Sequence, residues 1–349
     1  MSEEKKHYQR PLNFKTGKVE MNFGAGGKAS AQLIADLFAK NFSNEFLDQG
    51  DDGARLPQPK GELVMATDSH VVSPIFFAGG DIGGLSIHGT VNDVAVCGAT
   101  PLYISCGFIL EEGFPLSDLK RIVESMAAAA KEAGVKIVTG DTKVVERGKA
   151  DGIYINTCGV GVLPEGVRLS GANCRPGDVI AISSDIGDHG VAVMSQRVNL
   201  GFETGVVSDS ASLNRLTEKL VAEIPSLRCM RDPTRGGLGT TLNEIAKQSS
   251  VGMVLEEDKI PVKESVEAAC EFLGLDPLYV ANEGKVIAIC APEDAEKMLQ
   301  IMRDDPLGKN AQIIGRCIED ENHFVQMETG FGGVRMVDWL TGEQLPRIC

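Results

Sequence analysis

No CxxC pair occurs in the 349 residues, although nine cysteines are present, at positions 97, 106, 158, 174, 229, 270, 290, 317 and 349. Their odd number and single placement speak against a zinc site, a dithiol redox motif and a disulfide framework. Most of the first eight sit in apolar runs, such as Val94-Ala95-Val96-Cys97 and Ile287-Ala288-Ile289-Cys290. They read as buried thiols of a reducing cytosol. Basic residues are also short. The 34 Lys and Arg against 49 Asp and Glu leave a net charge of −15. That argues against nucleic acid as a partner, because a phosphate backbone needs a basic surface. It leaves room for a nucleotide held by backbone N–H groups and by metal ions bridging it to carboxylates. No apolar stretch approaches a membrane span, and the N-terminus has no signal-peptide core, so a cytoplasmic protein is expected. His7, His70, His88, His189 and His323 are scattered without HExxH spacing, which speaks against a histidine metal site.

What is present fits two domains, each with its own core. A strand is expected at 62–67, a helix at 84–97 and a strand at 101–110. Next comes the clearest helix of the chain. Ser117 or Asp118 can cap it, Leu119, Ile122, Val123 and Met126 give its period, and Gly134 ends it. A short buried strand at 135–139 and a longer one at 153–163 complete an α/β layer of order βαβαββ. Pro164, Gly166, Gly171, Pro176 and Gly177 suggest a connection between domains. A second α/β domain follows. Its expected strands lie at 178–184, 251–256, 285–291 and 311–318, and its helices at 189–199, 212–223, 237–248, 263–273 and 293–303. The expected division is a flexible arm over 1–20, an N-terminal α/β domain over 21–165, a C-terminal α/β domain over 175–335 and a mobile tail over 336–349.

Four motifs carry chemistry. Gly24-Ala25-Gly26-Gly27-Lys28 opens a helical pattern and can present N–H groups to an anion, although its spacing fits neither a Walker A loop nor a dinucleotide fingerprint. A plain turn would look the same. Asp51-Asp52, Thr67-Asp68-Ser69, Gly79-Gly80-Asp81, Asn92-Asp93 and Gly140-Asp141-Thr142-Lys143 read as acidic loops at strand ends. One such Asp is ordinarily a turn former or a cap. Several gathered at one edge would repel each other unless a cation such as Mg²⁺ on ATP phosphates neutralised them. Arg231-Asp232-Pro233-Thr234-Arg235-Gly236-Gly237 precedes a helix, with Thr234 as a possible cap or the segment as a phosphate contact. Asn282-Glu283-Gly284-Lys285 enters an apolar strand and could make a turn or supply a general base.

The chain ends on Leu345-Pro346-Arg347-Ile348-Cys349. A thiol at a chain end is poorly placed for a core and well placed on a mobile arm, since termini fray at the surface. An inert tail is the plain alternative.

These segments, with the terminal Pro-Arg-Ile-Cys and Thr142-Lys143-Val144-Val145 as the most specific of them, resemble the HypE family of hydrogenase maturation proteins from about Met21 to Cys349. The acidic motifs are similar more widely to ATP-using enzymes related to aminoimidazole ribonucleotide synthetase (PurM-like) and to selenide water dikinase. Phe23 departs from the pattern, because the family commonly has His before the glycine loop. The resemblance implies a PurM-like α/β fold and a homodimer whose N-terminal sheets pair. It implies a carbamoyl group placed on Cys349 by the carbamoyltransferase HypF, an ATP-dependent dehydration to thiocyanate, and delivery of cyanide to iron on a HypC–HypD complex. By the same resemblance Glu283 is the base and Lys143 stabilises charge or relays a proton. Gly24, Gly26, Gly27, Lys28, Asp68, Asn92, Asp93, Asp141 and Asp232 are candidates for ATP, and Asp52, Asp68, Asp93 and Asp141 for Mg²⁺. The rival readings are an ATP-dependent kinase or synthetase of the same superfamily acting on a free small molecule, and a scaffold with a docking tail. Selenide water dikinase usually carries a reactive thiol or selenol near its N-terminus, and residues 1–30 hold no cysteine.

Overall fold

A computed structural model describes residues 11–198, 205–342, 345 and 347–349. The first sheet has four strands in the order Glu62–His70, Ile153–Leu163, Thr100–Glu111, Lys136–Val145. The first two contacts are antiparallel and the last is parallel. In Glu62–His70 alternate side chains part to opposite faces. Leu63, Met65, Thr67 and Ser69 are exposed, while Val64, Ala66, Asp68 and His70 turn toward the helices.

Helix Leu116–Ala133 makes the crossover between the two parallel strands. Leu116, Leu119, Ile122, Val123, Met126 and Ala130 form its buried stripe. Its end is as expected: Gly134 adopts φ 76°, a left-handed conformation that a residue without a Cβ takes at little cost. Its start is not, because Pro115 holds the cap position and no side chain caps it. Helix Ile82–Val96 is buried nearly all round. It is covered by the first sheet on one side and by helix Asn214–Glu223 and strand Leu227–Arg231 on the other.

The second sheet has seven strands in the order Val334–Met336, Val325–Glu328, Gly252–Glu256, Gln312–Ile318, Val179–Ile182, Ile287–Cys290, Leu227–Arg231. Four of these lie where the apolar runs put them. Leu227–Arg231, Val325–Glu328 and Val334–Met336 were not expected, because each is short and carries charge. In Ile287–Cys290, Ile287 and Ile289 face one core and Ala288 and Cys290 another, which explains an apolar run without alternation. Helices Asp188–Val198, Asn214–Glu223, Gly237–Ser249, Glu264–Leu273 and Ala295–Arg303 stand close to their expected positions.

Both chain ends are tied down where they are described. Val19 is buried, donates its N–H to Phe114 at 2.7 Å and accepts one from Gly113 at 2.8 Å, so the expected arm over 1–20 is anchored at this point. Residues 1–10 lie outside the described residues. At the other end Ile348 joins the first core, beside Ala281 from the second half. Pro346 lies outside the described residues.

Candidate active site around the docked tail

The tail lies in the body of the molecule. Cys349 accepts a hydrogen bond on its carbonyl from the N–H of Val71 at 3.0 Å, and Arg347 accepts one from Ser73 at 3.2 Å. The carbonyl between them, that of Ile348, turns the other way and meets His189 Nε2 at 2.8 Å. Arg347 donates Nε to the Val71 carbonyl at 2.9 Å and pairs with Asp151, while Arg197 donates to the carbonyls of Ser73 and Arg347. Burial pushes the Cys349 thiol well above its ordinary range. Glu283 adds to the rise, Arg235 opposes it and Asp68 adds again. The docked sulfur is therefore a thiol, not the nucleophilic thiolate.

Glu283 stands at the entry to strand Ile287–Cys290. It is 3% exposed, and its Oε1 is buried without a hydrogen-bond partner. Its backbone is held from several sides. The N–H groups of Glu283 and Gly284 donate to the Asp209 carboxylate at 3.2 Å, and Asn92 Nδ2 donates to the Glu283 carbonyl at 3.3 Å. The neighbouring Asn282 donates to Pro233 and Val280 and accepts from Gly187 N at 2.7 Å. Desolvation holds the Glu283 carboxyl well above the usual carboxylate range, and Asp209, Asp232, Asp68 and Asp93 push it further. A buried acid with an unpaired oxygen, near enough to the tail to act on its thiol, is equipped to exchange protons.

Three of the five acidic motifs are not loops at strand ends. Asp68 lies within strand Glu62–His70, Asp141 within Lys136–Val145, and Asn92 and Asp93 in helix Ile82–Val96. Asp81 is a cap, its carboxylate accepting from Gly83 N at 2.8 Å and Gly84 N at 3.0 Å. Asn92 gives its amide to Ala211 O and Glu283 O and receives Leu213 N at 2.8 Å. It clamps the two halves together.

Asp68, Asp93 and Asp232 act on one another. Burial raises Asp93 to about 7, with Asp232 and Asp68 adding to the rise, and desolvation raises Asp232 to about 6. Excess negative charge of this kind suits a bound cation. Among the described residues, however, no three His, Cys, Asp or Glu side chains converge closely enough to hold a metal ion. The expected set of Asp52, Asp68, Asp93 and Asp141 is thus not assembled within one chain. Asp52 is exposed in the loop where Asp51 pairs with Arg55 at 2.7 Å.

Asp141 belongs to a second group on the open face of the first sheet. It pairs with Lys143 at 2.7 Å, both largely exposed, and this cation holds its carboxyl below the ordinary range. A cavity of about 450 Å³ there is bordered by Ser69, Val71, Asp141, Lys143, Tyr154 and Asn156. The glycine loop packs beside the same strand. A Cβ on Gly24 would come within 2.6 Å of Val144 N, whereas Gly26, Gly27 and Lys28 stay exposed. Phe23, the departure from the family pattern, is buried in the first core.

The Asp232 segment enters helix Gly237–Ser249 through Gly236, at φ 79°, not through a Thr234 cap. Gly237 has φ 61°, and a Cβ there would meet the carbonyls of Leu278 and Val280 at 2.6 and 2.7 Å. This close approach brings the Asp232 and Glu283 segments together. The sequence reading missed Asp209, Ser208, Arg197 and Asp151. None lies in a motif of its own, and only proximity to the tail or to Glu283 marks them.

Comparison with known proteins identifies the family. Residues 50–163 match the family described as AIR synthase related protein, N-terminal domain, and residues 175–328 its C-terminal domain. The chain is 64% identical over 343 residues to a carbamoyl dehydratase HypE of Cupriavidus necator, covering 98% of each. A crystal structure of hydrogenase maturation protein HypE in complex with ATP superposes with a TM-score of 0.91 at 53% identity, over 94% of this chain and 99% of that one. The HypE of a HypE–HypF complex gives a TM-score of 0.78 at 52% identity, over 88% and 99%.

Proposed function

The chain belongs to the AIR synthase related family and, within it, to the HypE carbamoyl dehydratases. From that premise we propose that it uses ATP to dehydrate a carbamoyl group carried on Cys349, giving a thiocyanate that supplies cyanide ligands for nickel–iron hydrogenase. The observation that carries this reading is the docked tail, with Cys349 under the influence of the unpaired, buried Glu283.

The chemistry balances in two steps. The carbamoyl oxygen takes the γ-phosphoryl group of ATP and ADP leaves, while one N–H proton is lost. The C–O bond then breaks, phosphate departs with that oxygen, and loss of the second N–H proton closes the C≡N bond. Such a transfer needs positioning and charge neutralisation more than covalent help. Glu283 is the proposed acceptor of the nitrogen protons. Asp209, Asn92 and Asn282 fix its backbone, and the enclosing core excludes water. Asp68, Asp93 and Asp232, with the loop Gly24 to Lys28, are the proposed nucleotide-side residues. Bound Mg²⁺ would neutralise phosphate charge beside Asp68 and Asp93.

The open face of the first sheet exposes Leu63, Met65 and Ile109. We propose that two chains pair through it as a homodimer. Pairing would cover that apolar surface and carry Asp141 and Lys143 toward a second chain, where Lys143 can stabilise developing charge. The proposed partners are the carbamoyltransferase HypF, which loads Cys349, and a HypC–HypD complex, which receives the cyano group. The proposed setting is cytoplasmic. Among the described residues no helix is long and apolar enough to cross a membrane.

The test is intact-protein mass spectrometry after incubation with carbamoyl phosphate, HypF, Mg²⁺ and ATP, beside a Cys349→Ala control. A carbamoyl adduct on Cys349 that loses one water only with ATP is the expected result. An adduct that never loses water would leave a carrier without catalysis.

A further inference from the structure

Arg347 turns the chain at φ 52°, and the carbonyls of the last three residues are held from two sides. Those of Arg347 and Cys349 face the backbone N–H groups of Ser73 and Val71. The carbonyl of Ile348, between them, meets the side chain of His189 at 2.8 Å instead.

The ring is set for this task. His189 is fully buried and packs at right angles to the ring of Phe77, centroids 5.4 Å apart. Its Nδ1 lies 2.8 Å from Ser208 Oγ, which already accepts the N–H of Ser210 at 3.1 Å. The Ile348 carbonyl can only accept, so the proton of the neutral ring sits on Nε2, and Nδ1 accepts the proton of the Ser208 hydroxyl. Burial keeps the ring neutral. The Ser208 backbone is in turn fixed by its N–H to Ala78 O at 2.8 Å.

The consequence reaches the thiol. The peptide between Ile348 and Cys349 is a rigid plane. With the Ile348 carbonyl held by His189 and the Cys349 carbonyl held by Val71, the backbone on both sides of the Cys349 Cα is fixed. Rotation about χ1 is then the main freedom left to the sulfur. We propose that His189, oriented by Ser208, is a positioning residue that clips the penultimate carbonyl of the tail and so registers the carried group against Glu283. It touches no reacting atom. A single hydrogen bond to that carbonyl leaves the tail free to depart again. The inference rests on the reading of Cys349 as the carrier.

The test uses the full chain with Cys97→Ser and Cys158→Ser, so that Cys349 is the one cysteine not buried. His189→Phe keeps an aromatic filler without a donor, His189→Gln restores a donor at similar reach, and Ser208→Ala keeps the ring but frees its tautomer. Iodoacetamide should label Cys349 about fivefold faster in His189→Phe, as expected for the loss of one hydrogen bond. His189→Gln should return toward the parent rate, and Ser208→Ala should fall between. ATP binding should not change. Single-turnover dehydration of the carbamoylated chain should slow at least as much in His189→Phe and recover in His189→Gln. Unchanged labelling in both His189→Phe and Ser208→Ala overturns the clip. So does faster labelling with an unchanged dehydration rate. Labelling needs no dehydration, so a chain that fails to dehydrate its tail would sink the proposed function while labelling still decides the clip.

Discussion

Asn92, on a helix of the first half, donates its side-chain amide to the backbone carbonyl of Glu283, at the head of a strand in the second half, at 3.3 Å. The same side chain receives Leu213 N–H and donates to Ala211 O, so one buried amide ties three segments across the junction of the two halves. Replacing it with Ala strands those groups out of water. Asn92→Ala should lower unfolding stability by about 2–3 kcal/mol, measured by urea denaturation, and should slow dehydration more than it weakens ATP binding. A variant as stable as the parent would show that the clamp is not needed.

Glu283→Gln keeps the shape of the side chain and removes its ability to take a proton. Carbamoyl loading on Cys349 should continue, while dehydration should fall by about 10²–10⁴-fold. Mass spectrometry would then find the adduct accumulating. A thiocyanate yield equal to the parent's would remove Glu283 from the chemistry.

Asp93 has its carboxyl raised to about 7 by burial and by Asp232 and Asp68. An Asp raised in the folded state binds its proton more tightly there than when unfolded, so the stability linked to it is present at low pH and is lost as pH rises through 7. Asp93→Asn escapes that loss. Without nucleotide, its melting temperature should match the parent's near pH 4, pull ahead as pH rises, and keep a constant lead above about 7. Addition of Mg²⁺ and ATP should raise the parent's melting temperature more than the variant's. Parallel pH profiles for the two proteins would refute the repulsion.

Ile348 is 3% exposed and anchors the tail in the first core. Ile348→Ala should weaken docking by about 2–4 kcal/mol, by analogy with buried large-to-small changes. Alkylation of Cys349 should speed at least tenfold, because the docked sulfur is only partly exposed and is protonated. Thermal unfolding of the two domains should barely move. Equal alkylation rates would mean that the tail is not held by this side chain.

Met65 is 72% exposed on the open face of the first sheet. A charge there should oppose burial against a second chain. Met65→Asp should sediment as a monomer at concentrations where the parent sediments as a dimer, and its dehydration rate should fall with the dimer fraction. A monomeric parent would refute pairing through this face.

Much of the architecture was legible in the sequence, because the period of apolar residues reports which face of an element is buried. Leu116 to Ala133 is the plainest case, and Gly134 marked its end. Leu227–Arg231 and the last two strands were not legible, since strands this short with charged residues show no period. The acidic clusters were legible as chemistry and misread as loops. An Asp in a strand and an Asp in a turn look alike in sequence, and the backbone decides between them. Thus Asp81 became a cap, Asn92 a clamp, and Asp141 the ion-pair partner of an exposed lysine.

The sequence by itself determined the glycine loop, the acidic residues, Glu283 and the terminal thiol, and the order of these motifs was enough for a family resemblance. Those are properties of local residue identity and spacing. Only the tertiary structure decided that Cys349 folds back against Val71 and that Glu283, with an unpaired oxygen, acts on its thiol. It also decided that His189 meets the Ile348 carbonyl. These contacts join residues far apart in the chain, and they exist because packing two cores against one buried helix brings their segments together, which no local pattern encodes.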